Sequence, residues 1–274
     1  MKSLPPLKVS FWLLLLAGLI VVAGCKATPE IKPEDKPDLE QLLETIKWRS
    51  EKLENIDVEF TADIKYGNRD DRIQLIIVAQ KPDKLFLEAV GPIGIGTLGM
   101  FSSDGEVFRH YNPKEQAMHF GPATDSALST MLPMNIPQRQ MLEIVMATPR
   151  MVNAERKAFG YDYDEKKFRY TVINDSKRQD IWFSHDGEIA RTKLGNSDGS
   201  LVYDLAYRGW KRHGENDFNY PSVIRFRMPS KGVEIKLKAS GDIKINHAPP
   251  ASIFRLPFPK GVEKIYIPGD AEME

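Results

Sequence analysis

The sequence is poor in cysteine: Cys25 is the only one in 274 residues. That excludes an intramolecular disulfide and any metal site built on several cysteines. Neither sign of charge is in excess. Lys and Arg together number 38, and so do Asp and Glu. No basic surplus exists to neutralise a phosphate backbone, so nucleic acid is not an expected partner. The longest apolar run, Phe11 to Gly24, is fourteen residues, short of the roughly 20 that a membrane-spanning helix needs. Gly and Pro total 38 residues, about a seventh of the chain, which is too few for a disordered or collagenous composition. What remains is length enough for one large domain or two small ones around a substantial core.

Lys2 and Lys8 precede the apolar run, and Val22-Ala23-Gly24 lead from it to Cys25. A short basic segment, an apolar segment of this size and then small residues predict a secretory signal peptide over residues 1–24. A core helix would carry a polar stripe, and this run has none. The junction resembles the lipobox of bacterial lipoproteins, in which the cysteine thiol is diacylglycerated and becomes the mature N-terminus. The resemblance implies lipidation at Cys25, which would also remove the oxidation hazard of an unpaired exported thiol. Cleavage would leave 36 basic against 38 acidic side chains. Lys26 stands where the inner-membrane retention signal of enteric bacteria places Asp. By that analogy the protein is exported and lipid-anchored on the periplasmic face of the outer membrane.

Residues 25–37 read as the lipidated cysteine and a Pro-rich tether, without apolar periodicity. A helix is expected next, capped by Asp38 with Gln41 completing a capping box, and with Leu39, Leu42, Leu43, Ile46 and Leu53 on one stripe. After Asn55 the period falls to 2. Val58, Phe60, Ala62 and Ile64 alternate with charged or polar residues, and Ile73, Leu75, Ile77 and Ala79 continue the face on a return strand beyond the polar turn 67–71. Leu85, Leu87 and Ala89 follow on a third strand. Further short strands at turn-punctuated spacing predict a mainly β fold, an unclosed antiparallel barrel of about 11 strands within a single half-barrel domain, residues 38–274. The stretch 124–148 interrupts the pattern with two short helices around Met131 and Met141, separated by Pro133 and Pro137. Its methionines suit either core packing or a pliable lid.

Catalytic and cofactor signatures are weak. Gly94-Ile95-Gly96-Thr97-Leu98-Gly99 has the spacing of a dinucleotide-binding loop, but a turn and another strand follow it where a helix is required. No nucleophile elbow and no H-E-x-x-H is expected, and an acylated Cys25 leaves no thiol for catalysis. His110 and His119 can meet across a hairpin, yet without a third ligand they read as surface residues. No enzyme activity, cofactor or metal is expected.

From Lys81 to Gly121 the sequence resembles the LolA/LolB-like lipoprotein-localisation family, in its membrane-anchored receptor branch. Pro82-Asp83, the Gly91-Pro92-Ile93-Gly94 turn and Asp104-Gly105 carry the match, and FRLPFPKGV near the C-terminus resembles the closing segment. The resemblance implies a half-barrel with covering helices whose interior takes acyl chains. The expected partners are lipid or the acyl chains of lipoproteins, a periplasmic lipoprotein carrier, and the membrane through the acyl anchor. The expected cavity lining is Phe60, Ile64, Leu75, Ile77, Leu85, Leu87, Met131, Met141 and Val145. Ile93 and Ile95 either protrude from their turn to touch a membrane or tuck into the barrel end. Two departures stand out: extra strands after about residue 175, and no position that matches the family's cavity arginine. The competing expectation is a structural lipoprotein with a filled barrel that docks an envelope assembly.

Overall fold

In a computed structural model, residues 30–92, 94–125, 136–213 and 218–269 are described. Helix α1 (Leu39–Lys52) opens the body, and the Asp38 carboxylate caps it by accepting the Glu40 N–H at 2.8 Å. The partner is thus Glu40, not the Gln41 of the expected capping box. Its apolar stripe buries Leu42 and Ile46, with Leu53 fully buried just past its end. Residues 32–36 of the expected tether are exposed, but two of residues 31–37 touch the body. Ile31 is buried, its carbonyl accepts the Tyr161 hydroxyl at 2.8 Å, and the Lys36 ammonium sits over the Phe159 ring.

The sheet is built from two meanders. The first runs through β1 (Asn55–Tyr66), β2 (Arg69–Gln80), β3 (Lys84–Val90), β4 (Thr97–Ser103), β5 (Val107–Asn112) and β6 (Ala117–Pro122). The second runs through β7 (Arg156–Asp162), β8 (Lys167–Ile173), β9 (Lys177–Phe183), β10 (Ile189–Asn196), β11 (Leu201–His213), β12 (Phe218–Met228) and β13 (Val233–Ala239). Strand β13 pairs antiparallel with β1 and joins the two into one sheet, while the two-residue β14 (Lys244–Ile245) also pairs with β1. A last strand, β15 (Glu263–Tyr266), adds to β6 in parallel. The order is β15-β6-β5-β4-β3-β2-β1-β13-β12-β11-β10-β9-β8-β7, so the barrel is unclosed: its end strands β15 and β7 do not pair among the described residues.

The expectation of a mainly β, open barrel thus holds, with 15 strands in place of about 11. The uncounted strands are mostly sheet edges. Strand β7 is largely exposed and shows no apolar alternation, so its residues carry no period-2 signal. The first hairpin also turns more tightly than expected. Tyr66 pairs with Arg69 across Gly67-Asn68, and the polar residues after it extend β2 through the ion pairs Lys65–Asp70 at 3.3 Å and Asp63–Arg72 at 2.6 Å.

Register explains the core. His119 pairs with His110, His110 with Phe101, Phe101 with Leu87, Leu87 with Ile77 and Ile77 with Val58, which sets one row on the concave face across six strands. A second row runs from Ile73 through Ala62, Leu237 and Ile224 to Tyr207. The segment from β6 to β7 must travel between opposite ends of this sheet, and it carries the second helix, α2 (Gln138–Val145), over the concave face. On the convex face the 3₁₀ turn Ala251–Phe254 lays Phe254 against Val78 and Phe86. Arg255 donates to Asp104 at 2.6 Å and the chain then runs to β15, so the FRLPFPKGV segment straps the outside of the sheet. No helix among the described residues is long and apolar enough to cross a membrane.

Candidate functional site: an apolar cavity beneath a helix

Between the concave face and α2 lies a cavity of about 220 Å³. One wall comes from the first meander, through Ile64, Leu75, Ile77, Leu87 and Phe101, and the opposite wall from the second, through Ile224, Phe226, Ile235 and Leu237. Met141, Ile144 and Val145 of α2 cover it. His110 is the only polar side chain on its described wall. An apolar cavity of about 150 Å³ stays dry and accepts benzene, so this space suits an apolar guest rather than water.

Six of the nine residues expected at the cavity line it: Ile64, Leu75, Ile77, Leu87, Met141 and Val145. Phe60 and Leu85 face the same core but are packed solid at 0% exposure, away from the open space. Met131 lies outside the described residues, as do Cys25 and Ile93. Sequence reasoning missed the far wall. Ile224, Phe226, Ile235 and Leu237 alternate visibly, but nothing local announces that β13 pairs with β1.

The C-terminal end of α2 is held by three buried side chains. A helix leaves its last carbonyls without intrahelical donors. Here the Tyr220 hydroxyl donates to the Val145 carbonyl at 2.5 Å and the Tyr207 hydroxyl to that of Ile144 at 3.5 Å. Arg49, on the inward face of α1, serves the next two: Nε donates to the Ala147 carbonyl at 3.2 Å and Nη2 to the Met146 carbonyl at 3.4 Å. Its Nη1 donates to the Asn219 carbonyl at 2.5 Å, and the guanidinium lies 4.9 Å from the Trp210 ring centroid. Burial pushes the Arg49 pKa down and those of both tyrosines up. A cation at this end of α2 complements the helix dipole. Ala147 closes the helix at φ +51°, a left-handed conformation that costs a non-glycine residue about 1–2 kcal/mol, so this end is held by its partners against local preference.

At the cavity mouth the β3–β4 turn is closed by the Gly91 N–H donating to the Gly96 carbonyl at 2.8 Å and by the Ile95 N–H to that of Pro92 at 3.0 Å. Gly94 and Gly96 take φ of +92° and +77°, which explains the glycine spacing without a nucleotide. Strand β4 follows where a phosphate-binding helix would stand. Ile95 is 63% exposed, so it does not tuck into the barrel end, and Leu98 is 43% exposed while it also lines the cavity. The two make an apolar lip.

The histidine reading needs correction. His110 and His119 are half-buried and stacked with ring centroids 5.9 Å apart, and each has a buried Nδ1 without a protein partner among the described residues. Register within the sheet, not solvent, puts them side by side. Burial, with neighbouring His119, lowers the His110 pKa. No cluster of three potential metal ligands exists among the described residues. Gly195-Asn196-Ser197-Asp198-Gly199 has the letters of a hydrolase nucleophile pattern, yet it spans the end of β10 and the exposed turn to β11 rather than a strand-to-helix elbow.

No family model and no curated protein sequence matches this chain. Solved structures do. A candidate outer membrane lipoprotein-sorting protein domain from Vibrio parahaemolyticus superposes with a TM-score of 0.52 at 10% identity, covering 78% of this chain and 95% of its own. The chain has the LolA/LolB-like fold. A DUF1329 family protein from Desulfovibrio piger matches with a TM-score of 0.51, also at 10% identity, over 78% of this chain and 95% of its own length. A LolA superfamily protein from Nitrosomonas europaea aligns at 11% identity over 81% of this chain and 99% of its own, with a TM-score of 0.48.

Proposed function

We propose that this half-barrel is a membrane-anchored, non-enzymatic lipid-binding lipoprotein that accepts or inserts acylated lipoproteins at the outer membrane. The observation that carries the reading is the carbon-lined cavity under α2, in a fold shared with a candidate lipoprotein-sorting domain. Each methylene taken from water contributes about 0.8 kcal/mol, so a short stretch of acyl chain placed there is bound firmly. Whole acyl chains need more than 220 Å³, so the reading requires α2 to move off the sheet at its N-terminal end, because its C-terminal end is held by Arg49, Tyr207 and Tyr220.

Anchoring rests on Cys25. Cys25→Ser is expected to release the protein into the soluble periplasmic fraction, because several acyl chains together hold a protein on a bilayer and no helix among the described residues is long and apolar enough to cross one. Sedimentation of the serine variant with outer membranes after a high-salt wash would overturn the lipobox reading.

Delivery rests on the apolar lip. Ile95→Glu and Ile93→Glu are each expected to slow transfer of cargo to liposomes at least tenfold, while cargo binding persists. For Ile95, a surface change of this kind costs no more than about 0.5 kcal/mol, or roughly 2 °C in melting temperature. Ile93→Leu should behave as the parent. Unimpaired transfer by both glutamate variants would remove the lip from the mechanism.

A second reading has its own observation. Phe60, Phe101, Phe108, Phe226, Tyr207 and Tyr220 are almost fully buried in the core on the concave side, as a scaffold lipoprotein that docks an envelope assembly would have it. Native mass spectrometry separates the two: co-purifying lipid supports the carrier, and a clean apo mass supports the scaffold.

A further inference from the structure

On the other side of α2 lies a second space, a groove of about 730 Å³ bounded by α1, α2, the segment 148–154 and the first strands of the second meander. Its volume falls within the roughly 300–1,000 Å³ of small-molecule sites. The floor is apolar: Ile46 of α1, Leu142 and Met146 at the end of α2, Met151 and Val152 beyond it, and Val172 of β8. The rim is basic. Lys47, Lys81, Arg139, Arg150 and Lys157 reach it from five separate stretches of chain, against two carboxylates, Glu51 and Glu143. Those two stand 3.9 Å from Lys47 and Arg139, a loose approach for an ion pair. Burial raises the Glu143 pKa, while the Arg150 backbone N–H donates to its carboxylate and the Arg139 and Arg150 guanidiniums act against that rise.

We propose that this groove is a binding site, separate from the cavity, for an anionic phospholipid. The phosphate sits among Arg139, Arg150 and Lys157, and one acyl chain lies along the floor. Charge complementarity selects the headgroup: a guanidinium fork matches phosphate geometry, and cations gathered from five stretches concentrate one sign of field over a low-dielectric floor. The half-buried apolar residues of the groove, Leu43, Met151 and Val152, select a lipid over a free anion or an acidic peptide, neither of which would cover them. Helix α2 is then the wall between two lipid compartments, with Met141 and Val145 facing one and Leu142 and Met146 facing the other.

The test titrates the full chain, in a non-ionic detergent, with short-chain phosphatidylglycerol and with phosphatidylcholine of equal acyl length. Phosphatidylglycerol is expected to bind at least tenfold more tightly. Arg139→Gln with Arg150→Gln should abolish that preference, Arg139→Lys with Arg150→Lys should largely keep it, and the melting temperatures should stay within a few degrees because both arginines are exposed. Millimolar inorganic phosphate should not displace the lipid, and uptake of a hydrophobic dye by the cavity should be unchanged in the glutamine variant. Equal affinity for the two lipids, full retention of preference by the glutamine variant, displacement by the dye, or equally tight binding of hexaglutamate would each overturn the proposal. A cavity that takes up no dye would count against the carrier reading and leave the groove result standing.

Discussion

Replacing Arg49 with methionine is expected to lower the melting temperature by about 6–12 °C and to loosen the C-terminal end of α2. Arg49 is 5% exposed and donates to the carbonyls of Met146, Ala147 and Asn219. Methionine fills much of the same volume but offers no donor, so two buried acceptors and one partly buried acceptor lose a partner. Each unsatisfied group costs about 1–3 kcal/mol. Relief from burying a charge, which already pushes the Arg49 pKa down, offsets part of that, and a net loss of about 3 kcal/mol is the expected balance. For a body of this size, 1 kcal/mol moves the midpoint by about 2–4 °C. Arg49→Lys should fall between parent and methionine variant, because a point-like ammonium cannot copy the flat three-way contact and its stacking on Trp210. Thermal melts measure the size of the effect and amide exchange measures its place. The Met146 and Thr148 amides, which donate to the Leu142 and Glu143 carbonyls, should exchange faster in the variant than amides of β1. A methionine variant that melts within 2 °C of the parent, with unchanged exchange at those amides, would mean that Arg49 does not hold the lid.

Arg49 also shows what the sequence hides. Leu42, Ile46, Arg49 and Leu53 fall at helical spacing, so the arginine occupies a place on the buried stripe. The periodicity alone makes this a break in an amphipathic pattern, because a charged residue at such a position more often lies at a helix margin with its head in water. Only the tertiary arrangement, which brings orphan carbonyls of α2 over α1, makes burial of that charge tolerable. The long one-sided strands are the opposite case. In β1, β2, β3 and β13 the alternation is complete enough to assign each residue to a face, and the concave rows follow from it. Strands β7 and β15 were illegible because an edge strand need not bury a face, and β15 is tied in by its parallel ladder to β6 and by Tyr266 against Phe120. The pairing of β1 with β13 closes a loop of more than 160 residues in sequence, which no local signal encodes. Half of the cavity wall depends on that pairing. The half carried by neighbouring hairpins was legible, and the half brought by a distant strand was not.

Leu75→Glu is expected to be the most damaging of the substitutions considered, either leaving no soluble protein or lowering the melting temperature by at least about 10 °C and abolishing dye uptake. Leu75 is 7% exposed, lies opposite Phe60 on β1 and Ala89 on β3, and lines the cavity. A carboxylate there meets only carbon. The one polar side chain on the described wall, His110, stands on β5, three strand spacings away. At about 4.8 Å each, that is roughly 14 Å along the sheet and too far for an ion pair. An unpaired buried charge costs several kcal/mol, a large share of the 5–15 kcal/mol that holds a typical domain together. The carboxyl can protonate to escape part of that cost, so damage should ease as the pH is lowered toward 5. A variant that fails to fold would confirm burial without testing the cavity, and Leu87→Trp supplies the second arm. Leu87 is half-buried and lines the same space, so a larger apolar side chain can grow into the void with little strain and displace the guest. The tryptophan variant should melt within a few degrees of the parent while taking up several-fold less dye. If Leu75→Glu folds and takes up dye as the parent does, the face carrying Leu75 is open to water and the cavity is not the lipid site. If Leu87→Trp leaves uptake untouched, the dye binds elsewhere, and the carrier reading loses the space on which it stands.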